Sequence, residues 1–483
     1  MVNLNKSLDR KTNYRWTICA MLFLSLTINY LDRQVLSLTW ADFIAPEFHW
    51  TNKNYGTVSG LFSLFYAISM LFAGKIVDWL DTKKGFLWAI GVWSIGAILH
   101  AFCGIATSGI VAGNWAMSFS GAREAIAAID NVSKIVTVSV TLFVFARLVL
   151  AIGEAGYFPA AIKATAEYFP KKDRAYATSI FNSGAQIGAL IAPLSIPFIA
   201  KAWGWEMAFI VIGVLGFIWM GIWVFVYQKP EKCKKVNALE LAYINQDEHV
   251  SDIQVTENAG KKVSYAKAFR YRQTWSFATG KFLTDGVWWF LLFWIPAYLK
   301  SVYGLNSTES SLHVSVVYAI SMISVIVAGY LPAYFMNKKK MDPYQGRMKA
   351  MLIFAFFPIL ILFAQPLGHF SIWIPVVLIG IAAAAHQSWS ANIFSTVSDM
   401  FPKHAVGTIT GIGGMAGGIA SYLINQGSGI LFDYTDNTGM QFAGFKGIEA
   451  GYFIIFCICA FAYLIGWMIM KSLVPKYKLI TDL

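Results

Sequence analysis

The chain has 483 residues, of which 57% are hydrophobic, 16% aromatic and only 13% charged, with a formal net charge of +12. Soluble domains carry roughly 25% charged residues, so this composition excludes an ordinary soluble protein. The apolar runs are about 20 residues long, the length of a helix crossing a bilayer, and not the roughly ten-residue alternating strands of a membrane β-barrel.

In chain order, about twelve such runs are predicted, near 16–40, 55–79, 86–106, 135–160, 175–200, 207–227, 275–300, 312–336, 348–367, 371–398, 406–432 and 450–473. The first run ends in Asp32-Arg33 and lacks a small-residue cleavage site, so no cleavable signal peptide is expected. The polar stretch 228–273 separates the first six runs from the last six. The expected domains are therefore 1–227, a cytoplasmic linker at 228–273, and 274–483. Within the linker, Ala238 to Asp247 fits a short amphipathic helix whose charges read as a solvated face. With the first residues in the cytoplasm, roughly twenty-seven of the 38 Lys and Arg fall inside and about six outside. That bias places both termini in the cytoplasm and accounts for the positive charge without nucleic acid. Cys19, Cys103, Cys233, Cys457 and Cys459 show no zinc spacing and read as free packing thiols.

An internal repeat links the halves. Phe169-Pro170-Lys171 closes the fourth run and Phe401-Pro402-Lys403 the tenth. Gly204-Trp205-Glu206 opens the sixth and Gly447-Ile448-Glu449 the twelfth. Both pairs keep one orientation, as in a parallel repeat of two six-helix units. The glycines at 411, 413, 414, 417 and 418 crowd the eleventh run, where small residues let helices pack closely.

Charges inside spanning helices are expensive and survive where they face a polar cavity or a partner. The first run carries Asp32 and Arg33, and the fourth carries Arg147 and Glu154. Arg147 and Glu154 are seven positions apart, which puts them on one helix face about 10 Å apart along the axis. Arginine suits a carboxylate because its planar fork donates two parallel hydrogen bonds and stays charged. A carboxyl in apolar surroundings is a reversible proton carrier, which makes Glu154 and Asp32 the proton-coupling candidates. A static bridge from Asp32 and Arg33 to Arg147 and Glu154 is the structural alternative. Lys281 and Asp285 in the seventh run fit an i,i+4 ion pair. His386, Gln387, Ser390 and Asn392 in the tenth offer hydroxyl-binding groups. Tyr30, Tyr66, Trp288 and Trp289 are candidate cavity aromatics.

Gly74-Lys75-Ile76-Val77-Asp78, followed by Asp81-Thr82-Lys83-Lys84, resembles the loop signature of the major facilitator superfamily. Asp81 stands where that signature usually has glycine. Asn29-Tyr30-Leu31-Asp32-Arg33, the stretch Arg147 to Ala160, and Tyr168-Phe169-Pro170-Lys171-Lys172-Asp173-Arg174-Ala175 resemble the anion:cation symporter branch of that superfamily. Ala385-His386-Gln387-Ser388-Trp389-Ser390-Ala391-Asn392, Trp294-Ile295-Pro296 and Gly329-Tyr330-Leu331-Pro332 make bacterial hexuronate transporters the most similar group within it. Two departures are a long outer segment at 107–134 and Gln186, which some sugar-acid transporters carry one residue earlier. One residue turns a helical side chain by about 100°.

The resemblance implies an all-α membrane fold of twelve helices in two pseudo-symmetric six-helix bundles. It implies a monomer in the bacterial inner membrane that imports a sugar-acid anion with protons by alternating access. Asp32 and Glu154 would carry protons. Arg33 and Arg147 would bind the carboxylate, with Tyr30, Tyr66, Gln186, Trp289, His386, Gln387, Ser390 and Asn392 around the sugar. Gly74, Asp78 and Lys83 would form the conformational loop. No cofactor is expected, and no Walker pattern supports ATP-driven pumping. Transport of an aldonate or another carboxylate is the alternative within the class. A membrane-embedded enzyme would need an acidic pair or metal cluster at a helix end, and a transporter-derived sensor a sizeable soluble output domain.

Overall fold

The computed structural model describes residues 11–246, 264–402, 405–480 and 483. Lys403 of the repeat, and Asp247 with the linker stretch 247–263, lie outside these residues. The chain folds into α1 (Tyr14–Thr39), α2 (Asn52–Ala101), the short α3 (Cys103–Ala112) and α4 (Phe119–Ala127), α5 (Val132–Tyr168), α6 (Lys171–Trp203) and α7 (Trp205–Val226). After α8 (Ala238–Ile244) come α9 (Arg272–Tyr303), α10 (Ser307–Lys339), α11 (Pro343–Phe356, continued by a 3-10 stretch), α12 (Trp373–Met400), α13 (Val406–Thr438) and α14 (Ile448–Leu473). Nine of the described helices are long and apolar enough to cross a bilayer.

The 50 residues of α2 would span about 75 Å if straight, more than twice the hydrocarbon thickness. They do not run straight. At Asp81 the backbone takes φ 68° and ψ 160°, and the chain reverses so that Gly85 comes against Val77. This corner of backbone space is open almost only to glycine and costs other residues about 1–3 kcal/mol. The loop signature's missing glycine therefore falls on a position with glycine geometry. Asp81 holds it by accepting the Thr82 amide at 2.9 Å and pairing with Lys229 at 3.3 Å. Asp81→Gly should raise stability by on the order of 1 kcal/mol, because the relief of strain exceeds the extra entropy of an unfolded glycine. Thermal unfolding in detergent reads it, and a lowered midpoint would show that the Lys229 bridge matters more than the strain.

The repeat is visible in backbone detail. Phe169 after α5 and Phe401 after α12 are both extended, as a residue preceding proline must be. Gly204 before α7 and Gly447 before α14 both have positive φ, 98° and 62°. Only glycine enters that region freely, which explains its place in both copies. The helices before residue 227 pack mainly on one another, as do those after residue 272. The two sets meet along α2 with α13 and along α6 with α10. On the first seam Gly60 faces Tyr422, Gly418 faces Ala67 and Ser63, and Ser421 bonds Ser63 at 2.8 Å. On the second, Ser315 donates to the Leu190 carbonyl at 3.1 Å. The glycines of α13 are thus used on two sides: Gly418 turns to α2, while Gly413 and Gly417 make room for Phe277 and Asp285 of α9.

The departure at 107–134 contains α3 and α4. Arg123 of α4 donates to Glu206 at 2.7 and 2.9 Å and lies 3.6 Å from Glu47, which also accepts the Trp205 indole at 2.7 Å. The segment is tied to the ends of the first and sixth predicted runs.

One linker expectation is corrected. The charges of α8 do not form a solvated face throughout, because Glu240 is fully buried. Its carboxylate accepts the backbone N–H groups of Tyr14 (3.0 Å) and Arg15 (3.1 Å), the Thr12 hydroxyl (2.6 Å) and the Arg15 guanidinium (2.9 Å). It caps the first turn of α1 from 225 residues away. Burial alone would raise its pKa; the Thr12 hydroxyl, the Arg15 and Tyr14 amides and the Arg15 side chain outweigh burial and hold it below the ordinary carboxylate range. A depressed folded pKa means the docking energy is complete above the unfolded pKa of about 4.3 and is lost as pH falls through the folded value. Glu240→Gln should loosen α8 at neutral pH by about 1–3 kcal/mol. Limited proteolysis of the linker checks this: faster cleavage in the variant at pH 7, converging with wild type in strong acid, is the expected pattern.

Candidate functional site

The four intramembrane charges converge. Asp32, Arg33, Arg147 and Glu154 are all buried, at 5% exposure or less, between α1 and α5. Helical spacing brings Arg147 and Glu154 to one face of α5, and α1 crosses that face. Arg33 donates to Glu154 through Nε at 3.0 Å and Nη2 at 2.5 Å. Both donors reach the same carboxylate oxygen, Oε2, so the other oxygen, Oε1, has no hydrogen-bond partner among the described residues. Asp32 is within Coulombic reach of Glu154, Arg147 and Arg33, yet neither of its oxygens has a hydrogen-bond partner among the described residues. Arg147 Nε and Nη1 have no hydrogen-bond partner among the described residues, and its guanidinium lies 5.0 Å from the Phe62 ring. A buried polar group without a partner costs roughly 1–3 kcal/mol, more when charged, so the cluster holds unspent hydrogen-bonding capacity.

Aromatic rings surround Arg33. Its guanidinium carbon is 5.0 Å from the centroids of Tyr30 and Tyr66 and 5.2 Å from Trp289. Flat rings suit a guanidinium plane and leave its edge free to donate. Trp289 belongs to α9, so the arginine of one half touches the other. Its neighbour Trp288 stacks on His386 of α12, with 5.2 Å between centroids and planes 9° apart. His386 Nδ1 is 2.9 Å from the Tyr463 hydroxyl. Adjacent tryptophans of α9 thus join the charge cluster to a polar cluster of the second half.

The remaining tenth-run residues are spread out. Asn392 donates to the carbonyls of Ala328 (3.0 Å) and Ser388 (2.9 Å), and Ser388 donates to Ser324. They fasten α12 to α10. Gln387 and Ser390 are half-buried. Gln186 accepts the Ser321 hydroxyl at 3.3 Å across the second seam. Lys281 and Asp285 form the i,i+4 pair at 2.7 Å. In the loop, Asp78 pairs with Lys163 at 3.3 Å and Lys83 donates to the Val224 carbonyl at 2.6 Å, while Gly74 has open space beside it.

Sequence reasoning missed Phe62, Tyr463 and Asn425. Asn425, which accepts the Trp294 indole at 2.9 Å, had a signal, an amide inside an apolar run. Phe62 and Tyr463 had none among 37 phenylalanines and 22 tyrosines.

A bundle of long apolar helices in two repeated halves, with a buried charge cluster touching both, defines a membrane transporter. The chain belongs to the Major Facilitator Superfamily, whose family model matches residues 22–424. It is a multi-pass membrane transporter and not an enzyme. It is 29% identical over 420 residues to the hexuronate transporter of Escherichia coli (strain K12), covering 87% of this chain and 88% of that one. To the galacturonate transporter of Dickeya chrysanthemi it is 26% identical, covering 68% and 84%. The crystal structure of a D-xylose-proton symporter shares the fold with a TM-score of 0.67 at 16% identity, covering 97% of this chain and all of that one.

Proposed function

We propose that this transporter imports a hexuronate, such as glucuronate or galacturonate, with protons across the bacterial inner membrane. The chain would cross twelve times, with α2 supplying two crossings, as an N-terminal unit (1–227), a cytoplasmic linker (228–273) and a C-terminal unit (274–483). Both termini would be cytoplasmic. The observation that carries the reading is the unequal pairing of the buried charges. Arg33 is clasped by Glu154, while Arg147 and Asp32 keep unpaired donors and acceptors.

An entering carboxylate takes the open edge of Arg147 and competes with Glu154 for Arg33. Glu154 gives up its cation as the substrate takes over, and the released carboxylate takes up a proton. Asp32, facing the same two arginines, is the second group that can hold this proton, one proton for each substrate carboxylate. The cluster then stays electrically compensated with and without cargo, which a low-dielectric site demands. Tyr30, Tyr66 and Trp289 surround Arg33 and offer aromatic surface to the sugar. Hydroxyl recognition falls to His386 with Tyr463, with Gln387 and Ser390 on the same helix and Gln186 on the α6–α10 seam, and Asn392 acts indirectly by fixing α12. Gly74, Asp78 and Lys83 form the conformational loop on the cytoplasmic face.

A single carboxylate fits better than two, because Lys281, the buried cation among the described residues of the second half, is paired with Asp285, while the unpaired donors belong to Arg147. The test is uptake of labelled glucuronate into proteoliposomes, with and without an inward proton gradient, against galacturonate, galactonate, galactarate and lactate as competitors. Proton-driven accumulation with the two hexuronates competing best is expected. Accumulation indifferent to the proton gradient, or strongest competition by galactarate, would overturn the assignment.

A further inference from the structure

In the orientation proposed above, the end of α1 that follows Asp32 faces outward. The helix does not stop at Thr39 but continues through a π-helical turn, Trp40–Ile44, which carries Asp42. Such turns are rare and concentrate at functional sites. Asp42 reaches the other half of the molecule. Its Oδ2 accepts the backbone N–H of Ser307, the first residue of α10, at 2.5 Å. Its Oδ1 pairs with Lys300 at the end of α9 at 2.6 Å, and Lys300 also donates to the Ala41 carbonyl at 2.6 Å.

The opposite seam repeats this in reverse. Asp433 of α13 accepts the backbone N–H groups of Asn52 (3.0 Å) and Lys53 (2.9 Å), the first two residues of α2, and the Asn52 side-chain amide at 3.0 Å. Each half therefore places one aspartate on the outer N-terminus of a helix in the other half. Between the two contacts lies an aromatic layer. Trp40 stacks on Tyr55 at 4.1 Å, both pack edge-on against Trp294, and the Tyr55 hydroxyl donates to the Phe293 carbonyl at 2.7 Å.

We propose that Asp42 and Asp433 are paired latches of the outer gate, each capping a helix of the opposite half, so that outward opening must release both. The chemistry suits a latch. A carboxylate at a helix N-terminus gains from exposed N–H groups and the helix dipole, yet depends on no packed side-chain surface. Both helices keep caps of their own, Asn306 on the Thr308 and Glu309 amides of α10 and the Thr51–Asn54 box at the start of α2, so they survive when the latches leave.

The proposal rests on alternating access but on no particular cargo, and the experiment adds none. The probe is Ser59→Cys in the full-length protein, a buried position next to Tyr55 beneath the latches. Its reaction with a membrane-impermeant maleimide is followed from outside in proteoliposomes of fixed orientation. Asp42→Asn and Asp433→Asn should each speed labelling by about fivefold, and the double variant by about the product, roughly 25-fold. Asp436→Asn, exposed on the same helix as Asp433, should leave the rate unchanged. Native Cys19 and Cys459, buried inside the two halves, should stay unlabelled in every variant, which separates opening from unfolding. Wild-type labelling in the double variant, or a double effect no larger than the greater single one, would overturn the paired latch. A failed hexuronate assignment would leave these rates unmoved.

Discussion

Glu154→Gln should abolish accumulation of substrate against a gradient while leaving exchange of internal for external substrate. Glutamine keeps the shape of the side chain and cannot carry a proton. In the free protein it leaves Arg33 buried without its charged partner, a loss of about 3–5 kcal/mol when one member of a buried pair is removed. A substrate carboxylate restores that partner, so the variant should bind its cargo at least as well as wild type. Steady-state uptake under an imposed proton gradient should therefore fall to simple equilibration, while counterflow persists. Wild-type accumulation in Glu154→Gln would remove the carboxyl from proton coupling and return the Arg33–Glu154 contact to a structural bridge.

Arg147→Lys should weaken binding of the acid by on the order of tenfold or more, corresponding to roughly 1.5–3 kcal/mol for a charged hydrogen bond. The lysine keeps the charge and loses the fork, whose Nε and Nη1 are the unpaired donors of the cluster. Arg33→Lys should act in the same direction and also weaken the hold on Glu154, since Nε and Nη2 both serve that carboxylate. Titrating glucuronate beside its neutral amide separates recognition from structure. Loss confined to the acid supports carboxylate binding. Equal loss for both ligands would show that the arginine only shapes the site.

The sequence by itself determined the helical membrane class, the parallel repeat and the identity of the four buried charges. Each is local information. A run of apolar residues, a Phe-Pro or Gly-Trp-Glu boundary, or a charge inside an apolar stretch has the same meaning wherever its helix ends up. Even the odd aspartate in the loop signature was legible as a departure, though not as a residue held at φ 68°. The tertiary structure decided who pairs with whom. Arg33 is bonded to Glu154 rather than balanced by its neighbour Asp32, because successive residues on a helix point about 100° apart. Glu240, in a stretch that reads as a solvated face, caps α1 because the linker helix folds back onto it. Asp42 and Asp433 look like ordinary interfacial aspartates in the sequence, and only the meeting of helix ends from opposite halves brings them to Ser307 and Asn52. Charge pairing and capping act over a few ångströms, between segments up to 381 residues apart, and no local pattern encodes that proximity.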